Sequence, residues 1–145
     1  MTNLFTETST KPMTAPVNST ATVTSSAVDV SGYTGSKFHV YYGDSADTLA
    51  ADLCWTAKLT ECATESGTYT DVAVGDVIGA DANSFGLVNA PTEDQKIYSL
   101  GYQGTCDFVK VVVTATGTHS SGTPIAIFCE LGLPRSQTTD YDVNP

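Results

Sequence analysis

Hydrophobic and polar positions alternate in short runs along this chain, and a period of two predicts strands. In residues 37–42, Phe38, Val40 and Tyr42 share one face. In residues 53–60, Leu53, Trp55, Ala57 and Leu59 point one way, and Cys54, Thr56, Lys58 and Thr60 point the other. That is the pattern of a half-buried strand, with Trp55 as its core anchor. Tyr98, Leu100 and Tyr102 stay in phase over Lys96–Tyr102. Val109, Val111, Val113 and Ala115 line one face of Phe108–Thr116, the strongest strand signal in the chain. Ile125, Ile127, Cys129, Leu131 and Leu133 line another face, which Pro134 ends. Only the loop from Gly117 to Gly122 separates these last two runs, so they are expected to pair as an antiparallel hairpin.

Weaker signals fill the remainder. Residues 21–24 and 27–30 predict short strands, Gly32 and Gly35 bracket a turn, and residues 69–72 predict a short return strand. Residues 74–91, rich in Gly and Asp, predict loops with one short strand. Residues 46–53 allow one helical turn at most, and no longer run has helical periodicity. No internal repeat is present. The fold class this predicts is all-β: an antiparallel β-sandwich, jelly-roll or immunoglobulin-like in strand order. Residues 1–19, rich in Thr and Ser and containing Pro12 and Pro16, show no sustained period. They are expected to form an extended N-terminal arm, disordered alone or laid on a neighbour. The sandwich domain is then expected over residues 20–135, with a polar C-terminal tail over 136–145.

Composition narrows the function classes. The chain has 145 residues, enough for one domain that buries a core without metals or disulfides. Only 15% of residues are charged, and Thr alone occurs 23 times, which suits exposed strand faces. Sixteen acidic residues against six basic ones give a formal net charge of -10. Nucleic acid and anionic membrane surfaces require clustered Lys and Arg, so neither is an expected partner. No run approaches the length of a transmembrane helix. The first twenty residues lack the basic and apolar regions of a secretory signal. Cys54, Cys62, Cys106 and Cys129 form no CxxC pair, which predicts small reduced thiols rather than a zinc or redox motif.

Candidate chemistry is sparse. His39 falls on the strand face opposite Phe38 and Val40, and His119 sits in a loop beside Ser120 and Ser121. Both are expected to be surface polar residues, because sequence adjacency is not triad geometry and no GxSxG elbow is present. The run from Asp81 to Gly86 starts like a calcium loop but has Phe85 at position five and Thr92 at position twelve. Asp44, Asp47, Asp71, Asp76 and Asp81 offer at most a weak surface Ca²⁺ site. Tyr33, Tyr41 and Tyr69 are expected to be ordinary exposed strand residues rather than a sugar platform. No catalytic residue, metal or cofactor is expected.

The order Asp71-Val72 after Trp55 to Thr70, then Lys96-Ile97-Tyr98-Ser99-Leu100-Gly101-Tyr102-Gln103-Gly104, then Phe108 to Gly117, then Leu131-Gly132-Leu133-Pro134-Arg135 carries a resemblance. It resembles the capsid decoration proteins of tailed bacteriophages, also called cement or head-stabilising proteins, over residues 53–135. It departs at Asp107-Phe108-Val109-Lys110, where that family often has Arg-Tyr-Val-Arg. The resemblance implies a non-enzymatic virion protein on the outer surface of the mature head, assembled in the host cytoplasm. It implies the major capsid protein as partner and a homotrimer as the assembly. The arm, with Phe5, Lys11, Pro12, Met13, Pro16 and Val17, is then the expected partner-binding segment. Other readings of the same residues are a phage tail or adaptor component, or a carbohydrate-binding β-sandwich.

Overall fold

The computed structural model describes residues 7–134. It contains strands β1 (Thr8–Ser19), β2 (Val23–Thr24), β3 (Val28–Asp29), β4 (Tyr33–Tyr42), β5 (Cys54–Cys62) and β6 (Thr70–Asp71). A 3-10 turn (Val74–Asp76) then leads to β7 (Val77–Ile78), β8 (Ser84–Val88), β9 (Lys96–Tyr102), β10 (Phe108–Thr116) and β11 (Thr123–Pro134). Every pairing is antiparallel, as the alternating pattern requires when one face of each sheet meets the core. One sheet has the order β1-β11-β4-β9-β7, and the other β2-β10-β5-β6, with β3 also on β10 and β8 also on β5.

The core lies between the two inner faces. Phe38, Val40 and Tyr42 meet Ile125, Ile127, Cys129 and Leu131 from the first sheet. Trp55, Ala57 and Leu59 meet Val109, Val111 and Val113 from the second. Each of these side chains stands in phase with its neighbours along its own strand, so the strand faces read from the alternation are the ones buried. The all-β sandwich is therefore the fold.

The hairpin expected between the last two long runs does not form. β10 pairs with β5 along its whole length, from Phe108↔Cys62 to Thr116↔Cys54. β11 lies in the other sheet, between β1 and β4. Both runs have a continuous apolar face, and in a sandwich two such faces can oppose each other across the core as well as share a sheet. The six residues from Gly117 to Gly122 can span about 20 Å when extended, ample for a gap of about 10 Å between sheets. Gly117 and Gly122 make the two corners, with φ of 80° and 84°.

The N-terminal segment is also more than an appendage. β1 pairs with β11 from Thr8↔Gly132 to Ser19↔Thr123, with register shifts on either side of Thr14. Met13 turns into the core at 2% exposure. The described part of the expected arm is thus an edge strand of the sandwich. Pro12 and Pro16 erased its alternation in the sequence, because proline is tolerated at a sheet edge and at bulges but not within a sheet. Phe5, the Leu133 side chain and the tail from residue 136 lie outside the described residues.

Candidate functional site

Three polar arrangements stand out, and the best connected is a knot at one end of the sandwich. Asp47, in the β4–β5 loop, reaches across to the β10–β11 crossover. The Ser120 and Ser121 amides and the Ser120 hydroxyl donate to Asp47 Oδ1 at 3.2, 2.9 and 2.9 Å. The Gly122 amide donates to Oδ2 at 3.0 Å. Burial pushes the Asp47 carboxyl up, but these donors outweigh it and hold the group well below the usual carboxylate range. His119 Nδ1 lies 3.4 Å from Asp47 Oδ2, and its ring packs on Trp55 at 4.3 Å between centroids. The Trp55 indole donates to Thr123 Oγ1 at 2.9 Å, and Thr123 shares a hydrogen bond with Ser45 at 2.8 Å. The Ser45 amide donates in turn to Asp94 at 3.0 Å.

This knot contains Ser, His and Asp, yet its wiring is not that of a nucleophile. The Ser120 hydroxyl donates to the carboxylate rather than to an imidazole. His119 is buried, with no hydrogen-bond partner at either ring nitrogen. The carboxylate has been spent on closing loops. The expectation that His119 is a surface residue is corrected: stacking on Trp55 draws it inside. No linear signal marks this, since Asp47 and Ser120 are far apart in sequence.

The second arrangement lies on the outer face of the five-stranded sheet. His39 Nδ1 is 2.7 Å from Ser99 Oγ, and Nε2 is 3.4 Å from Glu130 Oε2. Its ring stacks on Phe128 at 4.7 Å. His39 is therefore buried too, against expectation, because cross-strand neighbours on a pleated face close over it. Burial lowers its pKa, and Glu130 opposes part of that shift. The line can pass a proton between hydroxyl and imidazole. Ser99, however, sits mid-strand rather than at the strained turn that presents a hydrolase nucleophile.

The third is a cleft of about 330 Å³ at the opposite end, lined by Tyr33, Ser36, Tyr102, Thr105, Cys106 and Asp107 among others. The Tyr102 hydroxyl donates to Glu61 Oε2 at 2.6 Å and accepts the Cys106 amide at 3.0 Å. Burial and then Glu61 raise its pKa above the usual phenol value, so it stays a donor. These bonds explain the glycines of the Gly-Tyr-x-Gly run. A side chain at Gly104 would meet the Tyr102 ring at 2.5 Å, and one at Gly101 would meet Ile78 at 3.0 Å. The run is a packing signature of β9, against β7 at Gly101 and against its own Tyr102 ring at Gly104.

The other predicted residues do not converge. Lys11, Pro12, Pro16 and Val17 are exposed along β1, while Met13 is buried. Tyr41 is exposed, but Tyr33 and Tyr69 are half-buried, with Lys11 and Lys110 over their rings at 5.9 and 4.0 Å. Asp71 pairs with Lys58 at 2.6 Å. Among the described residues no three His, Cys, Asp or Glu side chains gather to hold a metal ion. All four cysteines are free, and burial pushes the Cys129 thiol to about 11. No helix among the described residues is long and apolar enough to cross a membrane. No protein-family model matches the chain, and no curated protein matches it.

The two pKa shifts set distinct pH windows. A histidine with a depressed folded pKa costs nothing above its ordinary value near 6.5, and subtracts stability as pH falls below it. A carboxylate held low contributes in full above its ordinary value near 4, and its contribution fades as pH falls towards the depressed value. Chemical denaturation followed across pH is therefore expected to lose stability in two stages. His39→Gln should flatten the stage between about pH 7 and 5, and Asp47→Asn the stage below about pH 4. Unchanged profiles in both variants would count against these assignments.

Proposed function

We propose that the chain is a structural protein that works by binding, as a cement subunit on the outer surface of a mature phage head. Its partner in this reading is the major capsid protein, and its copies associate as a homotrimer. The observation that carries the reading is β1, a twelve-residue strand at the end of its sheet, with β11 alone beside it among the described residues. Lys11, two prolines and two register shifts blunt this edge against strand addition, so a partner would be met by the side chains of Lys11, Pro12, Pro16 and Val17, which lie exposed along it. The residues that resemble the decoration proteins support the reading more weakly. Apart from Arg135, which lies outside the described residues, they occupy β9, β10, β11 and the β9–β10 turn, and Gly101 and Gly104 among them answer to packing.

Binding that selects the expanded shell stabilises it by mass action, by about 2.7 kcal/mol per site at a free concentration a hundredfold above Kd. Two head preparations test this: expanded heads stripped of surface proteins, and unexpanded precursors. The purified chain is expected to saturate the expanded heads at hundreds of copies, to leave precursors bare, and to raise the temperature of DNA release. Heads whose occupancy and heat resistance do not change on adding the chain would overturn the proposal. A few to dozens of copies per particle would point instead to a tail or connector component.

A further inference from the structure

The two ring nitrogens of His39 meet groups from the two strands that flank β4. The register sets Phe128, His39 and Ser99 in one row across the outer face of the five-stranded sheet, with Glu130 and Lys37 in the next row. Ser99 Oγ lies 2.7 Å from Nδ1, and Glu130 Oε2 lies 3.4 Å from Nε2. Carboxylate, imidazole and hydroxyl thus follow one another in the order of an activated serine. The His39 side chain is 8% exposed and stacks on Phe128, so the ring is held in place. Ser99 is half-buried and keeps part of its surface open.

The carboxylate decides which nitrogen carries the proton. A proton on Nε2 faces Glu130 favourably, whereas the other tautomer turns a lone pair towards a negative oxygen. Nδ1 is then the acceptor, and the Ser99 hydroxyl donates to it. Burial lowers the His39 pKa, so the ring is neutral and available as a base at pH 7. Ser120 provides the contrast. It also lies near a histidine and an aspartate, but its hydroxyl donates to Asp47 at 2.9 Å and meets no base. The surroundings of Ser99 set the class of reactant. Ile97, 57% exposed, is the next outward residue along β9, and Phe128 lies beyond the imidazole, which suits an apolar, uncharged electrophile.

We infer that Ser99 is a nucleophile toward activated carboxylic esters, with His39 as its general base and Glu130 as the residue that positions the base. Ser99 Oγ bonds to the ester carbonyl carbon as its proton passes to His39 Nδ1. The bond from that carbon to the leaving oxygen then breaks, the oxygen keeps the electron pair, and His39 returns the proton to it. The products are an acyl-serine and an alcohol or phenol, and nothing is oxidised or reduced. Ser99 sits mid-strand, without the strained turn that presents backbone amides to an oxyanion. One acyl group per chain is therefore transferred, and hydrolysis of the acyl-serine is slow. This reactivity goes beyond capsid binding and does not depend on it.

The purified full chain treated with para-nitrophenyl acetate tests this. A burst of about one equivalent of nitrophenolate is expected, with the acetyl group mapped to Ser99 by mass spectrometry and Ser120 unmodified. Ser99→Ala should abolish the burst, and His39→Gln should slow it about a hundredfold. The charged groups facing His39 are Glu130 from β11 and Lys37 from β4, while β9 places Ile97, Ser99 and Gly101 on this face. The wild-type rate should rise with pH through an inflection below the ordinary histidine value of 6.5. Glu130→Gln should slow the burst about tenfold and move that inflection to lower pH, and Lys37→Met should move it to higher pH. Both side chains reach solvent, so these two variants keep the fold even where His39→Gln does not. Acetyl groups on lysines or on Ser120 in place of Ser99 overturn the inference, as does the absence of a burst. So does labelling of Ser99 that a folded His39→Gln protein leaves unchanged, or an inflection that neither Glu130→Gln nor Lys37→Met moves.

Discussion

Replacing Trp55 with alanine is expected to remove about 4 kcal/mol of folding stability. The ring is fully buried near the start of β5. It packs on His119, and its indole N–H donates to Thr123. Truncation opens a cavity, leaves Thr123 without that donor, and frees the His119 ring on which the β10–β11 crossover rests. Each of these losses acts on the same few residues, so they combine rather than add independently. Domains of this size are stable by only about 5–15 kcal/mol, so the variant should stand near the edge of folding at 37 °C. Urea unfolding followed by circular dichroism is the measurement. The expected result is a midpoint shifted far down with an unchanged slope, since the surface exposed on unfolding hardly changes. A loss below about 1 kcal/mol would mean that the knot is not the end-clamp described above.

A milder companion, Trp55→Phe, separates cavity from hydrogen bond. Phenylalanine keeps most of the packing on His119 but cannot donate to Thr123. The loss is then expected to fall to roughly a third of the alanine value, because a buried hydrogen bond contributes about 1 kcal/mol net.

How much of this was legible in the sequence depends on distance along the chain. Period-two alternation is a local property, and it located β4, β5, β9, β10 and β11 and the described side chains that each turns into the core. Trp55 was marked as a core anchor for the same reason. Sheet membership is not local. The faces of β10 and β11 are equally apolar whether they share a sheet or oppose each other, and six intervening residues permit either. What decides is the partner: β10 is matched by β5, nine residues against nine, and β11 by β1 and β4. β1 itself was hidden because two prolines and two register shifts break its alternation.

The polar sites were hidden more deeply. Asp47 meets the Ser120 to Gly122 amides, and Ser99 meets His39, only after the sheets have formed. A backbone amide has no residue identity, so a carboxylate that collects three of them leaves no mark in the sequence. The two histidines were placed at the surface by strand phase for His39 and by loop position for His119. Each is instead covered by an aromatic ring, Trp55 over His119 and Phe128 beside His39.

Gly117→Val should be nearly as damaging as the loss of Trp55, and for a reason confined to the backbone. Gly117 has φ of 80°, in the left-handed region that a β-branched residue adopts only under strain. A Cβ there would also collide with the Asp52 carbonyl oxygen and approach Leu53. Backbone atoms cannot rotate away, so either the β4–β5 loop retreats or the crossover opens. The strained conformation alone costs on the order of 1–3 kcal/mol, and the collision adds to it. A total of about 3–4 kcal/mol is expected. The damage should be local before it is global, because Gly117 starts the chain segment that Asp47 holds. Amide exchange offers the sharper measurement: Ser120, Ser121 and Gly122 should lose protection in Gly117→Val while Val111 and Leu59 keep theirs. Asp47→Ala should produce the same pattern of lost protection with a smaller fall in melting temperature, on the order of 5 °C. Gly117→Val with full protection at all three amides would show that the crossover can turn without a left-handed residue, and that its geometry is set elsewhere.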